Sequence, residues 1–157
     1  RYDAVADLFH FDNLASARAR GVELEWTGRL AGGIRVRVGG SWQRAEDGID
    51  GSRLSNSPAR MLKFGLSAPF WGERLRAGLE VQAMSSRKTE LGTRAPGFGI
   101  ANLTLTMPKL ARNLDLSASV YNLFDRRHYD PVGSELDPVD RIERDGRHFL
   151  LKLGYRF

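Results

Sequence analysis

Three features of the sequence predict an all-β chain, an antiparallel transmembrane β-barrel segment of about 7–8 strands. Seven stretches alternate apolar and polar residues with a period of two. The connections between them run short, long, short, long, short, long. No Asp, Glu, Lys or Arg falls on the apolar side of any of the seven alternating stretches. The last feature discriminates, because a basic residue facing lipid near the midplane costs about 2–4 kcal/mol, whereas the lumen side of a barrel tolerates charge.

The bulk properties fit this class. The chain has 157 residues, 17 Gly, 6 Pro and no Cys, which excludes thiol chemistry, Cys-ligated zinc and disulfides. No apolar run is long enough for a membrane-spanning helix. The chain opens at Arg1 with neither an initiator Met nor an apolar leader, so any targeting segment is expected to have been removed or to lie upstream. The net charge of +5 raises nucleic acid as a partner. The basic residues are dispersed singly, as in Ile34-Arg35-Val36-Arg37-Val38, with no clustered run, so no nucleic-acid partner is expected.

Taken in order, residues 2–11 hold Val5, Leu8, Phe9 and Phe11 without clean alternation and are a possible eighth strand. Val22, Leu24 and Trp26 alternate with Glu23, Glu25 and Thr27; after a turn at Ala31-Gly32-Gly33, Ile34, Val36, Val38, Gly40 and Trp42 alternate with Arg35, Arg37, Gly39, Ser41 and Gln43. Keeping both faces aligned requires opposed residue numbers with an even sum. Charge complementarity then favours Glu25 opposite Arg37 and Thr27 opposite Arg35, with a three-residue or bulged turn.

A polar connection at 44–58 leads to Leu62, Phe64, Leu66 and Ala68, and a short turn at 69–73 leads to Leu75, Ala77, Leu79, Val81 and Ala83. A second long connection spans 85–97. Ala101, Leu103, Leu105 and Met107 follow, then a turn at 108–113, then Leu114, Leu116, Ala118 and Val120. The longest connection, 122–145, precedes a final strand with Phe149, Leu151, Leu153, Tyr155 and Phe157 on one side and His148, Leu150, Lys152, Gly154 and Arg156 on the other. Phe70, Trp71, Tyr155 and Phe157 fall at the short-turn end, and Trp42, Phe98 and Phe149 toward the long-loop end, as interfacial aromatic girdles would.

A soluble β-sandwich shows similar alternation but has no reason to alternate loop length, and its strands are shorter than the about 9–11 residues that cross a tilted barrel wall. A complete eight-stranded barrel using residues 2–11 would have to pack all its lumen charges against one another. The alternation assigns Glu23, Glu25, Arg35, Arg37, Lys63, Arg76, Glu80, Lys152 and Arg156 to the lumen side, for cross-strand pairing or for contact with whatever fills the lumen. The loop holding Asp125, His128, Asp130, Asp137, Asp140, Glu143, Asp145 and His148 matches no metal-binding or catalytic spacing and is expected to be a solvated loop. No catalytic residue, metal or cofactor is assigned.

Asn122-Leu123-Phe124-Asp125 followed by Tyr129 and Pro131, then Asp145-Gly146-Arg147 opening a strand that ends Tyr155-Arg156-Phe157, resembles the C-terminal part of the barrel of TonB-dependent outer-membrane receptors. Asn56-Ser57-Pro58 and Gly21-Val22-Glu23-Leu24-Glu25 also fit that family. The resemblance implies a piece, from about residue 15 onward, of a plugged barrel of about 22 strands. It further implies uptake of a ferric siderophore or similar metal chelate, with an N-terminal plug and an energy-coupling TonB protein engaging regions outside this sequence. By the same resemblance Phe149, Leu151, Leu153, Tyr155 and Phe157 form the signal read by the barrel assembly machinery. The surroundings implied are outer-membrane lipid of a Gram-negative bacterium.

Overall fold

A computed structural model describes residues 2–3, 8–9, 16–72, 74–133 and 138–157. Alternation of apolar and polar side chains builds long strands: β1 (Tyr2–Asp3), β2 (Leu8–Phe9), β3 (Ala17–Arg29), β4 (Arg35–Asp47), β5 (Arg60–Phe70), β6 (Leu75–Met84), β7 (Arg87–Lys88), β8 (Arg94–Ala95), β9 (Phe98–Ala111), β10 (Leu114–Tyr121), β11 (Tyr129–Pro131), β12 (Arg141–Glu143) and β13 (His148–Tyr155). Seven of them form one antiparallel sheet in the order β13-β10-β9-β6-β5-β4-β3. These are the seven expected strands, joined in chain order. The short pairs β7-β8 and β11-β12 lie within two of the long connections. Among the described residues β1 pairs with β2 in a separate two-stranded sheet; the remainder of the possible strand at 2–11 lies outside the described residues.

Among the described residues no second layer covers the sheet: its only buried apolar side chains are Ala45 and Ala101, with Ala95 buried in the loop strand β8. Large apolar side chains stand in the open instead, Leu24 at 74% exposure being typical. A sandwich would bury them.

The first hairpin departs from the expected register. Glu25 faces Gly39, Thr27 faces Arg37 and Arg29 faces Arg35, two residues away from the expected pairing. The faces remain aligned because the shift is even. Pairing stops at Arg29 and Arg35, so the connection is five residues long. It contains a single turn at Ala31–Gly33, where Gly32 and Gly33 take φ of 72° and 76°, and it is closed by Leu30 N–H donating to the Ile34 carbonyl at 2.9 Å.

The third short turn is tighter than expected, because β9 continues through Pro108 to Ala111 and leaves Arg112-Asn113 as a two-residue loop. A register shift between Leu114 and Leu116 absorbs the extra residues, and Lys109 and Asn113 take positive φ there. Phe98 is a correction. It pairs with Met84 and so shares the parity of Ile100 and Asn102, which puts it on the charged face against His128, ring centroids 4.7 Å apart, and not in an outward girdle.

Candidate functional site

Following the registers from strand to strand sorts every side chain onto one of two faces. Glu25 lies beside Gly39, Lys63 and Gln82; Thr27 beside Arg37, Gly65, Glu80 and Asn102; and Arg76 beside Thr106, Ser117 and Lys152. Glu23 and Arg35 lie in the same parity, as does Arg156 beyond the end of β13. All nine charges assigned from the sequence therefore fall on one face of the sheet.

Contacts on that face are diagonal. Glu25 sits opposite Gly39 and meets Arg37 at 4.0 Å; Asp115 sits opposite Gly154 and takes the Arg156 guanidinium at 2.7 Å. A glycine opposite a carboxylate leaves space into which the long arginine from the next position can lean. Between these pairs run hydroxyl contacts, Thr104 with Ser119 at 2.9 Å and Thr106 with Ser117 at 3.4 Å. A cleft of about 210 Å³ opens where the glycines leave room, lined in part by Glu23, Glu25, Arg37 and Lys63. The arrangement presents charges of both signs to whatever lies over this face.

The long connections lace together at one end of the sheet. Arg87, only 7% exposed, donates to Asn56 Oδ1 at 3.1 Å, to the Tyr129 carbonyl at 2.8 Å and to Asp130 Oδ1 at 2.8 Å. One guanidinium thus joins all three long loops. Arg144 reaches the other oxygen of Asp130 at 3.4 Å, and Asn56, at φ 50°, donates its N–H to the Lys88 carbonyl. Nearby, Thr89 is fully buried and Asp140 accepts from the Thr93 hydroxyl. The Thr89 and Thr93 hydroxyls hold the Asp140 carboxyl below the usual carboxylate range.

Asn122, 3% exposed at φ 49°, ties the base of the longest loop: its Oδ1 accepts from Arg126 N–H and its Nδ2 donates to the Arg126 carbonyl, both at 2.9 Å. Asp125 Oδ1 then accepts from Arg147 N–H at 2.8 Å, across a gap that only Gly146 leaves open, since a Cβ there would sit 2.8 Å from that oxygen. Among the described residues no group of three or more His, Asp or Glu could hold a metal.

A family model described as "TonB dependent receptor-like, beta-barrel" matches residues 2–123. The ferric-pyoverdine BN7/BN8 receptor of Pseudomonas putida is 31% identical over 135 residues, 80% of this chain and 16% of that protein. The chain belongs to the TonB-dependent receptor β-barrel family. The fold agrees: the ferripyoverdine receptor of the outer membrane of Pseudomonas aeruginosa superposes with a TM-score of 0.74 at 20% identity, over 88% of this chain and 19% of that one. The ferric-catecholate import receptor Fiu from E. coli K12 superposes at 0.77 and 23% identity, over 90% and 21%. The chain thus spans about a fifth or less of each of these receptors. The family is one of receptors, not enzymes.

Membership gives the short motifs a physical meaning. In Asn56-Ser57-Pro58 and Asn122-Leu123-Phe124-Asp125 the residues Asn56, Asn122 and Asp125 take left-handed φ and fasten the loops, and Asp145-Gly146-Arg147 completes the second fastening. The hub at Arg87 carries no motif that the sequence alone displays; it emerges only when the loops are brought together. In β13, Phe149, Leu151, Leu153 and Tyr155 share the apolar face, and Phe157 follows with its ring edge-on to Tyr155 at 5.3 Å.

Proposed function

We propose that this chain is the C-terminal wall of a plugged outer-membrane receptor of about 22 strands in a Gram-negative bacterium. That receptor takes up a ferric siderophore or similar metal chelate. The observation that carries this is a single-layer sheet with an uncovered apolar face on one side and the nine charges assigned from the sequence on the other. Lipid fits the first face; a plug domain and a passing chelate fit the second. The edges β3 and β13 leave backbone groups unpaired within the described sheet, each costing several kcal/mol in hydrocarbon, so further strands of the parent chain must flank them.

The relatives' named ligands, ferric pyoverdine and ferric catecholate, support an iron-chelate class. The long loops laced by Arg87 form the extracellular cap, and Glu23, Glu25, Arg35, Arg37, Lys63, Arg76, Glu80, Lys152 and Arg156 face the lumen. The energy-coupling TonB protein acts through the parent's N-terminal region, and the barrel assembly machinery reads Phe149, Leu151, Leu153, Tyr155 and Phe157. Antiserum against this chain should detect an outer-membrane band that shifts on heating and is several times larger than 17.6 kDa. Deleting the parent gene should abolish growth on a ferric chelate as sole iron source. A heat-shifting band near 17.6 kDa, or a soluble one, would overturn the proposal.

A further inference from the structure

The apolar face of the sheet changes character abruptly at its long-loop end. The β3-β4 register is unbroken from Ala17 with Asp47 to Arg29 with Arg35, so parity can be followed past Val22 and Trp42 without ambiguity. Beyond those residues the same outward face carries Arg20 opposite Arg44 and Arg18 opposite Glu46. Arg60 lies opposite Trp42 on β5, and Arg53 bridges to Glu46. Meanwhile the inward parity turns small, with Ala17, Ala19, Gly21 and the buried Ala45.

Five arginines therefore gather on the outward side: Arg60 beside the exposed Trp42, Arg44 and Arg20 about 7 Å farther along the strands, Arg18 about 7 Å beyond those, and Arg53 bridged to Glu46. Only Arg44 is ion-paired, with Glu46; among the described residues no acid pairs with Arg18, Arg20, Arg53 or Arg60. Arg20 lies directly opposite Arg44, a like-charge pair in which Glu46 neutralises Arg44 and leaves Arg20 with no acid among the described residues. A cleft of about 460 Å³ has Arg20, Arg44 and Arg53 in its lining together with Val22 and Trp42.

We infer that this patch is a binding site for the phosphorylated glycolipid headgroup of the outer leaflet. Guanidinium forks take phosphate oxygens bidentately, and an indole ring beside them suits the sugar and the start of the acyl chains. The position is right for a headgroup and wrong for a soluble anion: the patch is continuous with the lipid-facing surface and faces away from the lumen. It is also local. Next in line after Arg60 come Ser85 and Gly97, not basic residues.

The inference rests on the outer-membrane placement proposed above, and the test separates the two. The purified parent receptor is titrated by native mass spectrometry with bisphosphorylated lipid A, dephosphorylated lipid A and inorganic phosphate. The wild type should retain the bisphosphorylated lipid about a hundredfold more tightly than the dephosphorylated one, the scale expected for three or so surface arginines. R20Q/R44Q/R60Q should lose most of that difference, and inorganic phosphate should not displace the lipid. Equal retention of the two lipids by the wild type, undiminished preference in a triple variant that still shows the heat shift of a folded barrel, or displacement by inorganic phosphate would each overturn the inference. If the triple variant does not fold, the wild-type lipid comparison and R44Q decide. Absence of any heat-shifting outer-membrane band would instead refute the placement.

Discussion

Removing Arg87 should loosen all three long loops at once while leaving the wall intact. The guanidinium makes two hydrogen bonds to neutral acceptors, Asn56 Oδ1 and the Tyr129 carbonyl, and one to Asp130. Two neutral bonds contribute about 1 kcal/mol each, and the ion pair about 1 kcal/mol more, discounted because Asp130 is 43% exposed and keeps Arg144 as a partner. Arg87→Ala should therefore lower the local free energy of loop opening by about 3 kcal/mol, which is about a hundredfold in exchange rate. Hydrogen–deuterium exchange of the parent receptor in micelles reads this directly. The amides of Asn56 and Arg144, which donate to the Lys88 and His128 carbonyls, should exchange about a hundredfold faster, while amides of β5 and β6 stay protected. Arg87→Lys should recover only part of the protection, since one ammonium cannot span three acceptors on two loops. Unchanged loop exchange, or equal acceleration within the strands, would refute the hub.

Other substitutions test other features. Leu66→Arg, outward in the middle of β5, should destabilise the barrel in lipid vesicles by about 2–4 kcal/mol in guanidinium unfolding, whereas Ser67→Arg on the opposite face should cost far less. Asn122→Ala should cost about 2–3 kcal/mol of local stability, from the stranded Arg126 N–H and a strained positive φ; Asn122→Gly should recover about 1 kcal/mol of that, measured by exchange at residues 122–126. Because the Thr89 and Thr93 hydroxyls depress the Asp140 pKa, the stability this carboxylate lends is full above the ordinary aspartate value of 3.8 and fades as pH falls through the lower folded value. A carboxyl midpoint by NMR above 3.8 would contradict this. Phe157, fully exposed with its ring edge-on to Tyr155, should be removable at little cost to the unfolding free energy but with a clear loss of outer-membrane assembly in pulse-chase; a stability loss matching the assembly loss would argue for a packing role instead.

The strands were legible because lipid and lumen impose opposite demands on alternate residues, and a seven-strand sheet repeats that demand often enough to be read. The order of loop lengths was legible for the same reason: a wall that crosses a membrane must turn on alternate sides. Strand ends were less so. Beyond Trp42 and Val22 the parity continues but the chemistry inverts, so Arg44 looks like the start of a polar loop although β4 runs on to Asp47. Only the hydrogen-bonded register reveals that Arg20 and Arg44 still point outward. Likewise Phe98 has the composition of a girdle residue and the parity of an inward one, and parity decides.

The register of the first hairpin shows where pairwise charge reasoning stops being sufficient. Glu25 opposite Arg37 maximises contact between two isolated strands, but it would take two residues out of the connection, which in the five-residue form already draws on positive φ at both Gly32 and Gly33. The observed register keeps that connection and puts Arg37 between Thr27 and Gly65, with Gly39 opposite Glu25. The ion pair survives as a diagonal contact at 4.0 Å, exposed and therefore weak, so it cannot have selected the register. The backbone of the turn did. Arg156 reaches Asp115 past Gly154 in the same manner at the far edge of the sheet, so small residues opposite carboxylates are a recurring device by which this face keeps its charges paired and still open above.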